Sequence, residues 1–467
     1  MADAIKAKLL VVDGGPGGYV AAIRAGQLGV ETVLVEADRL GGTCLIRGCI
    51  PSKALIHAAE RFAATMEAFG GGALGIRVSA KPTLDFAETV RWKEGIVAKL
   101  ESGVASLLRR AKVRVVKGWA VFSDAKTCRV TTEAGPVAIT AEHVVLANGS
   151  APASLAGLPF GEAVLSSTDA LTLDAVPERL AVIGAGYIGL ELGTAFRKMG
   201  SEVVVIEAQD RILPLWNSEL TRPVQRWLDR AGVRIHLGAQ VAGLGEAGAD
   251  HALAVRTRDG EQIHIPIDKI LCTVGRQPRT GGWGLEAMAV DLDGRFVKID
   301  AQCRTSMRNV WAIGDLVGEP MLAHKAMAQG EMVAEIIAGA RRRFQPAAIP
   351  AVCFTEPEIV SVGLVPMTVE PDVVVGQFPF AANGRMLTVQ GDADGGFVRV
   401  VAAREDGRVL GIQAVGAHVS ELAGEFAHAL EMGTVLDDLA GTIHAHPTLG
   451  EALREAAARA LGRAIHM

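Results

Sequence analysis

The stretch that decides the fold reads Leu9-Leu10-Val11-Val12-Asp13-Gly14-Gly15-Pro16-Gly17-Gly18, a short apolar run that leads into a glycine-rich turn. A helical pattern follows, and then a largely β-branched run that ends in an acid, Glu36. The design recurs in Leu180-Ala181-Val182-Ile183-Gly184-Ala185-Gly186-Tyr187-Ile188-Gly189 and ends at Glu207. Equivalent residues are 171 positions apart, since 189 − 18 and 207 − 36 both give 171. The chain therefore contains two βαβ units of one design.

Each βαβ unit carries the features that dinucleotide binding needs. The first glycine allows a tight turn, the second lets the backbone approach a pyrophosphate, and the third lets the helix pack on the strand. The pyrophosphate lies at the helix N-terminus, where free N–H groups favour anions, and the acid accepts hydrogen bonds from a ribose. A lone glycine triplet is weak evidence, because Gly-rich turns occur in many α/β proteins. Two complete copies in phase predict two nucleotide sites, with candidate residues Gly15, Gly18, Glu36, Gly184, Gly186, Gly189 and Glu207.

The first copy departs from the motif at Asp13, which stands in the place of the first glycine. A Cβ atom is awkward there if φ is positive, so strain of about 1–3 kcal/mol is expected. Its carboxylate would also lie near phosphate. We expect Asp13 to alter the affinity of the first site and not its existence.

The composition excludes several classes of protein. The chain has 47 basic and 52 acidic residues and a net charge of −5, whereas a nucleic-acid footprint needs a clustered basic excess. No apolar run approaches the roughly 18 residues of a membrane span. Six cysteines in 467 residues are too few for a disulfide scaffold. The N-terminus has no apolar signal core, so we expect a cytoplasmic protein, although a processed organellar protein would share this feature.

The length and the segment patterns predict three domains of the α/β class. Residues 1–150 and 276–346 form the first dinucleotide-binding domain with a central part, and residues 151–275 form the second. Both are expected to be Rossmann-like. From residue 347 to residue 467, β-rich segments precede helices, which predicts a separate C-terminal α+β domain.

A cysteine pair follows the first acid, in Gly42-Thr43-Cys44-Leu45-Ile46-Arg47-Gly48-Cys49-Ile50-Pro51-Ser52-Lys53. The pair could be two core thiols, half of a zinc site, a structural disulfide or a redox pair. Zinc would need a second Cys or His pair, and a structural disulfide is unfavourable without a secretory signal. Positions i and i+5 of a regular helix lie about 8–9 Å apart, beyond the roughly 7 Å that a disulfide allows. A bond between Cys44 and Cys49 would therefore require a break in the helix, for which Gly48 is suited.

A histidine motif lies near the other end of the chain, in His444-Ala445-His446-Pro447-Thr448-Leu449-Gly450-Glu451. A lone histidine is more often structural than catalytic. Here, however, Glu451 is close enough in sequence to orient an imidazole, and such an imidazole is the usual acid–base partner of a thiol. His446 can serve the cysteines only if the last domain folds back or if another subunit supplies it.

These motifs together give the chain a family resemblance. It resembles the pyridine-nucleotide flavoprotein disulfide reductases, and within them the dihydrolipoamide dehydrogenases that serve branched-chain 2-oxo acid dehydrogenase complexes. The resemblance covers essentially the whole chain. It rests chiefly on the cysteine and histidine motifs, supported by Val274-Gly275-Arg276 and Ala312-Ile313-Gly314-Asp315.

The resemblance implies an activity and partners. The activity is oxidation of protein-bound dihydrolipoamide with NAD⁺ as acceptor, through FAD and a redox-active Cys44–Cys49 disulfide. The last domain would be a dimerisation domain, so that a homodimer forms and the partner subunit supplies His446. The protein partner would be the lipoyl domain of a 2-oxo acid dehydrogenase complex. No metal, nucleic-acid or membrane partner is implied.

The resemblance also implies individual roles. The catalytic set comprises Cys44, Cys49, His446 and Glu451, with Lys53 and Glu191 as an ion pair beside the flavin. Glu207 would repel a 2′-phosphate and so favours NAD over NADP, whereas Arg211 is a weak signal for NADP. The expected FAD-binding residues are Gly15, Gly18, Glu36, Lys53, Gly118, Asp315 and Ala323. The expected NAD-binding residues are Gly184, Gly186, Tyr187, Gly189, Glu207 and Gly275, of which Tyr187 resembles an aromatic gate over the flavin.

Several residues depart from the family pattern besides Asp13. They are Ile46 and Arg47 between the cysteines, Asn148 in place of a usual Thr, and Asn217 in place of a usual Asp. None removes a catalytic group. Two other functions stay open at this point: a related reductase of glutathione or another soluble disulfide, and a non-catalytic flavoprotein that acts as a scaffold or redox sensor.

Overall fold

The computed structural model describes residues 4–72, 74–247, 250–366, 372–391 and 395–466. The apolar runs identified in the sequence form buried strands, and the glycine turns connect them to helices. In the first part of the chain the strands and helices are β1 (Ile5–Val12), α1 (Pro16–Gln27), β2 (Thr32–Glu36), α2 (Gly42–Arg47), α3 (Cys49–Phe69), α4 (Phe86–Arg110), β3 (Arg114–Lys117), β4 (Trp119–Phe122), β5 (Thr127–Thr132), β6 (Gly135–Leu146) and β7 (Ser150–Pro152).

The first sheet places the first glycine turn at its centre. The strand order is β3-β2-β1-β6-β5-β4, and β1 pairs in parallel with both β2 and β6. Strand β1 ends at Val12, so the turn leaves the carboxyl edge of the sheet, where parallel sheets bind ligands. Pro16 begins α1, a position that suits its fixed φ and its missing N–H.

The second part of the chain repeats this arrangement. Its elements are β8 (Val164–Leu165), α5 (Ser167–Ala170), β9 (Arg179–Ile183), α6 (Tyr187–Lys198), β10 (Glu202–Glu207), α7 (Ser218–Arg230), β11 (Arg234–Leu237), β12 (Gln240–Ala247), β13 (Asp250–Arg256), β14 (Gln262–Pro266), β15 (Lys269–Cys272) and β16 (Arg276–Pro278). The parallel sheet has the order β11-β10-β9-β15-β8, while β12, β13 and β14 form a separate antiparallel sheet. The second glycine turn therefore also follows a central strand.

The chain then returns to the first sheet. The next elements are β17 (Leu292–Asp293), β18 (Phe296–Val297), β19 (Val310–Ala312) and α8 (Ala323–Ile337). Strand β19 pairs in parallel with β6, and α8 packs closely on α1. A Cβ atom on Gly330 of α8 would lie 2.4 Å from the carbonyl oxygen of Gly17 in α1, so glycine permits this close approach.

The last part of the chain forms an antiparallel sheet covered by helices. Its elements are β20 (Ala351–Cys353), β21 (Glu358–Gly363), β22 (Val373–Pro379), α9 (Gly384–Thr388), β23 (Phe397–Ala403), β24 (Val409–Gly416), α10 (Ala423–Glu431), α11 (Leu436–Gly441) and α12 (Glu451–Ala460). The strand order is β20-β21-β24-β23-β22. Apolar residues of α10, α11 and α12 join one buried cluster with this sheet. Short 3-10 helices cover Leu285–Met288, Gly314–Val317, Phe380–Ala382 and Val419–Leu422.

The predicted fold class is confirmed: two α/β sheets with parallel central strands of one design are followed by an α+β unit. In the first sheet, β4 and β5 add two antiparallel pairings at one edge. The chain returns to the first sheet through β19, as a discontinuous first domain requires. The domain limits themselves, 1–150 with 276–346, 151–275 and 347–467, stay a prediction. Within the described ranges, no helix combines the length and apolar character of a membrane span.

Candidate active site

The two glycine turns are held by matching hydrogen bonds. Glu36 accepts one bond from the Gly14 amide and one from the Asp38 amide, each 2.7 Å long. Glu207 accepts the equivalent bonds from the amides at positions 185 and 209, at 2.7 and 2.8 Å. Each acid therefore folds its own turn through both carboxylate oxygens, in addition to any contact with a ribose.

The first and third glycine positions meet the steric demands expected of the motif. A Cβ on Gly18 would lie 1.8 Å from the carbonyl oxygen of Asp13, and a Cβ on Gly189 would lie 2.3 Å from that of Gly184. Only glycine lets either helix pack so closely on its strand. Asp13 has φ +79° and Gly184 has φ +96°, so the strained conformation expected of Asp13 is present.

A single pocket joins the first turn to the cysteine pair. Its lining contains many of the residues singled out in the sequence: Gly15, Glu36, Cys44, Cys49, Lys53, Tyr187, Glu191, Asp315 and Ala323. Gly118 lies beside the acid, because its amide donates a 2.8 Å hydrogen bond to the Glu36 carbonyl. The predicted flavin residues and the predicted redox cysteines are thus brought together.

Cys44 and Cys49 form a disulfide with a Cα–Cα distance of 4.6 Å. Helix α2 ends at Arg47 and α3 begins at Cys49, and Gly48 between them has φ −142° and ψ −112°. The expected break at Gly48 is confirmed, and it brings the two Cα atoms far closer than a regular helix would. The other cysteines, Cys128, Cys272, Cys303 and Cys353, are buried thiols.

An ion pair between α3 and α6 flanks the disulfide. Lys53 Nζ lies 2.7 Å from Glu191 Oε2. The Glu191 side chain is only 4% exposed, and its other oxygen accepts a 2.9 Å bond from the Phe354 amide. Lys53 Nζ also lies 4.3 Å from the centre of the Phe354 ring. The charge of Lys53 is therefore fixed at the pocket wall by a carboxylate and an aromatic face.

Phe354 was not singled out in the sequence. It follows β20 in the last part of the chain, 301 positions after Lys53, since 354 − 53 = 301. Its contribution is an amide and a ring face, and neither leaves a motif in the sequence. No spacing signal could have identified it.

Asp315 and Ala323 line the far side of the pocket. The Asp315 carboxylate accepts a hydrogen bond from Ser150 Oγ, and Arg276 donates to the same hydroxyl at 2.8 Å. Burial lowers the pKa of Arg276 from its usual value, and the nearby Asp315 opposes this change. Ala323 begins α8, so a helix N-terminus with its free N–H groups borders the pocket.

Tyr187 and Gly275 belong to the second nucleotide unit. Tyr187 begins α6 directly after the second turn and lines the same pocket as the disulfide. Tyr187 is 38% exposed, but desolvation by the protein around it, followed by the nearby Glu191 carboxylate, raises the pKa of its hydroxyl to about 12, so the hydroxyl stays neutral. Gly275 has φ +128° and accepts a hydrogen bond from the Ala153 amide.

His446 and Glu451 form a separate, exposed dyad. His446 Nδ1 lies 2.9 Å from Glu451 Oε1, and the Thr448 amide donates to the other oxygen at 2.8 Å. Partial burial works in the opposite direction, but these hydrogen bonds hold the pKa of Glu451 below its usual value. The His446 side chain is 80% exposed. Among the described residues that line the disulfide pocket, neither member of the dyad is found.

The remaining departures from the family pattern have local partners or a specific position. Arg47 forms an ion pair with Asp38. Asn217 caps α7 by accepting a hydrogen bond from the Glu219 amide at 3.0 Å. Asn148 lines the pocket, and its buried Oδ1 has no hydrogen-bond partner among the described residues.

The pocket meets the requirements of a flavin nucleotide. A Cβ on Gly42 would lie 2.5 Å from the Gly15 Cα, so the cradle beside the first turn has no room for side chains. The Glu36 carboxylate ends β2 next to that turn. A disulfide at the head of a helix lies in the same pocket, and a second nucleotide turn leads into Tyr187. These features define a disulfide oxidoreductase that works with two nucleotide cofactors.

The chain belongs to the pyridine nucleotide-disulphide oxidoreductase family. The family pattern matches residues 7–330, and the pattern of the family's dimerisation domain matches residues 349–457. The chain is thus an oxidoreductase with FAD and NAD as cofactors, and the second match supports a homodimer.

Relatives and solved structures agree with this family. The chain is 58% identical to a dihydrolipoyl dehydrogenase of Pseudomonas aeruginosa, with 100% of both chains covered. It is 44% identical to the dihydrolipoyl dehydrogenase of Bacillus subtilis, with 99% of this chain and 98% of that protein covered. The crystal structure of LpdA from Mycobacterium tuberculosis has 26% identity and a TM-score of 0.86, covering 98% and 99% of the two chains. These relatives do not favour a glutathione-type reductase or a non-catalytic scaffold.

Proposed function

We propose that this protein oxidises the dihydrolipoamide group of a lipoyl domain in a 2-oxo acid dehydrogenase complex and passes the electrons to NAD⁺. The observation that carries the proposal is the pocket that joins the Cys44–Cys49 disulfide to the first nucleotide turn. The dihydrolipoyl dehydrogenases at 58% and 44% identity support the substrate class.

The two turns receive different nucleotides in this proposal. FAD binds at the first turn, because Gly15 and Gly17 of that turn line the pocket of the disulfide, whereas the second motif reaches this pocket through Tyr187 and Ile188 and not through its glycines. NAD binds at the second, where the Glu207 carboxylate disfavours a 2′-phosphate. Arg211, the one signal for NADP in the sequence, donates a 2.6 Å hydrogen bond to the Pro214 carbonyl. Its guanidinium is therefore already engaged within its own loop.

Thiol chemistry begins at the exposed dyad of a partner subunit. His446 takes a proton from one thiol of dihydrolipoamide, and Glu451 stabilises the imidazolium that results. The thiolate attacks Cys44 Sγ, so the Cys44–Cys49 bond breaks, a mixed disulfide forms and Cys49 leaves as a thiolate. The second thiol of the substrate then displaces Cys44 and closes the lipoamide disulfide, which leaves both cysteines reduced.

The pocket then holds a thiolate next to fixed charges. Cys49 begins α3, and the helix N-terminus favours its thiolate form. The Lys53–Glu191 pair supplies a fixed electrostatic environment at the same wall. Bound FAD supplies the chemistry of taking the electron pair from the thiolate and delivering hydride to NAD⁺. Tyr187 stands between the two nucleotide sites as a gate.

Replacing Cys44 by Ser tests the proposal. We expect C44S to lose dihydrolipoamide oxidation and to keep its FAD, because the substitution removes the sulfur that the substrate attacks. Steady-state NADH formation and the visible flavin spectrum measure the two properties. Cys128→Ala is the matched control, since Cys128 is a buried thiol in β5 and its loss should leave turnover intact. Normal turnover by C44S would overturn the assignment.

A further inference from the structure

Asp13 occupies an amide that a nucleotide turn normally offers to its ligand. Its Oδ1 accepts a 2.9 Å hydrogen bond from the Gly15 amide. Gly15 is the second glycine of the motif, the position at which backbone approaches pyrophosphate. The carboxylate thus stands where an anionic ligand would bind, and it lines the pocket itself.

The second turn shows the arrangement without this carboxylate. Gly184 replaces Asp13, and among the described residues no side chain bonds to the amide of Gly186. A Cβ on Gly186 would meet nothing within 4 Å, whereas a Cβ on Gly15 would lie 3.2 Å from Asp13 Oδ1. The hydrogen bonds to the two acids are alike, so the difference at the amide of the second glycine comes from the side chain of residue 13.

The surroundings of Asp13 mix both signs of charge. The Glu36 carboxylate of β2 repels its negative form, while Arg47 of α2 and Arg279, which follows β16, attract it. Asp38 lies next to Glu36 and pairs with Arg47. Burial, followed by the charge of Glu36, raises the pKa of Asp13 to about 7 despite the two arginines and the Gly15 amide. Burial also raises the pKa of Glu36.

The hydrogen bonds decide which of the two acids is able to hold a proton. Both oxygens of Glu36 accept backbone N–H groups and are committed as acceptors. Asp13 uses only Oδ1 in this way, and no hydrogen bond reaches its Oδ2 from any residue that the structure describes. A proton added to this pair therefore belongs on Asp13 Oδ2.

We propose that Asp13 takes up a proton from solvent when the pyrophosphate of FAD binds at the first turn, so that the FAD affinity of this protein falls as the pH rises. The inference rests on the proposed placement of FAD at that turn. An ionised Asp13 repels the diphosphate, whereas a protonated one offers an O–H donor to it. Asp13 is thus a determinant of flavin affinity that the second turn lacks.

The direction and size of the effect follow from linkage. The diphosphate favours the protonated form, so FAD raises the pKa of Asp13 above its value in the flavin-free protein, which is about 7. The affinity for FAD is then independent of pH below the pKa of Asp13 in the flavin-free protein, and it weakens as the pH rises above that pKa. One proton bound with each FAD gives a loss of up to about tenfold per pH unit.

The test measures FAD release from the holoenzyme as a function of pH. Dilute holoenzyme is equilibrated between about pH 5.5 and about pH 8.5, and the FAD that passes an ultrafiltration membrane gives the dissociation constant. We expect the constant of the wild type to rise above neutral pH. Asp13→Asn keeps the side-chain acceptor and tolerates a positive φ, so it tests charge separately from strain. D13N should show no such rise and should bind FAD about tenfold more tightly than wild type at about pH 8.

Two controls locate the effect. Asp38→Asn removes a neighbouring carboxylate that does not bond to Gly15, so D38N should keep the pH dependence of the wild type. The affinity for NADH in the same preparations should not fall with rising pH in this way, because the second turn has Gly184 in place of Asp13 and so has no carboxylate there. A wild-type constant independent of pH, or a D13N constant with the wild-type slope, would overturn the inference. Failure of the wild type to retain FAD at any pH would instead overturn the proposed placement of FAD. A missing pH dependence with FAD bound is a different result, so the two failures can be told apart.

Discussion

His446, the proposed base, is held by hydrogen bonds while it stays exposed. Its Nδ1 lies 2.9 Å from Glu451, and the Thr448 amide holds the other oxygen of that carboxylate. When Nδ1 carries the hydrogen of this bond, Nε2 is left with a free lone pair and is the basic nitrogen. The dyad thus holds the imidazole of the proposed base in place while its ring stays exposed.

Replacing His446 by Gln should separate the two halves of the reaction. We expect H446Q to lower dihydrolipoamide oxidation by about 10²–10⁴-fold, because an acid–base group of this kind contributes that much. Electron transfer from NADH to an artificial dye needs no proton transfer at the substrate thiol and should be almost unchanged. The ratio of the two activities is the measurement.

The matched control for H446Q is His57→Gln. His57 is exposed on α3 and stands next to the Trp92 ring, away from the dyad, so H57Q should change neither activity. Equal losses of thiol oxidation and dye reduction in H446Q would contradict the role of His446 as a base.

At the scale of the elements, the crossing of α1 and α8 depends on the absence of side chains. A Cβ on Gly330 would lie 2.4 Å from the Gly17 carbonyl oxygen. Both helices border the disulfide pocket, the proposed site of FAD, at their N-terminal ends, α1 through Pro16 and α8 through Ala323. The spacing of the helices is therefore coupled to the shape of the pocket.

Replacing Gly330 by Ala should push the two helices apart. We expect G330A to lower the free energy of unfolding by about 1–3 kcal/mol through overpacking and to weaken FAD retention at the same time. Gly95→Ala in α4 is the matched control, because a Cβ there meets nothing within 4 Å. G95A should stabilise the protein by about 0.5–1 kcal/mol. Urea unfolding measures the stability of both variants. Equal stability of G330A and wild type would contradict the packing argument.

The elements that could be predicted from the sequence are those whose signals are local. The glycine turns, the acids that end β2 and β10, and the helix break at Gly48 all follow from spacing within about 20 residues. Contacts between distant elements could not be predicted in this way. Arg399 of β23 is buried between Gln413 of β24 and Glu219 of α7, and this position depends on how a helix of the second unit packs on the last sheet.

The same distinction between what the sequence indicates and what only folding shows applies to the candidate site. The sequence identified Asp13 as a defect, but the bond from the Gly15 amide to its carboxylate emerged only from the folded turn.

At the scale of the whole molecule, one chain holds its disulfide and its proposed base in different places. The pocket around Cys44 contains neither His446 nor Glu451 among its described lining residues. The C-terminal part matches the dimerisation domain of the family. In a symmetric dimer, each chain can supply the base for the other's disulfide.

Mixed dimers test this exchange of residues. When C44S and H446Q chains are dissociated, mixed in equal amounts and reassociated, each heterodimer has one site with an intact disulfide and an intact base from the partner. We expect about a quarter of wild-type dihydrolipoamide oxidation, because about half of the dimers are mixed and each has one of two sites. Neither variant alone should recover activity after the same treatment. If His446 served its own chain, the mixture would stay inactive, which would contradict the exchange.

The pairing of Glu36 and Glu207 with equivalent amides has a practical consequence. The two turns share one solution, one temperature and one ionic strength in every sample, and their carboxylate bonds differ by no more than 0.1 Å. A change of pH that releases one nucleotide and retains the other therefore points to positions at which the turns differ, Asp13 against Gly184 among them. The second turn therefore serves as an internal control for measurements of nucleotide binding at the first turn.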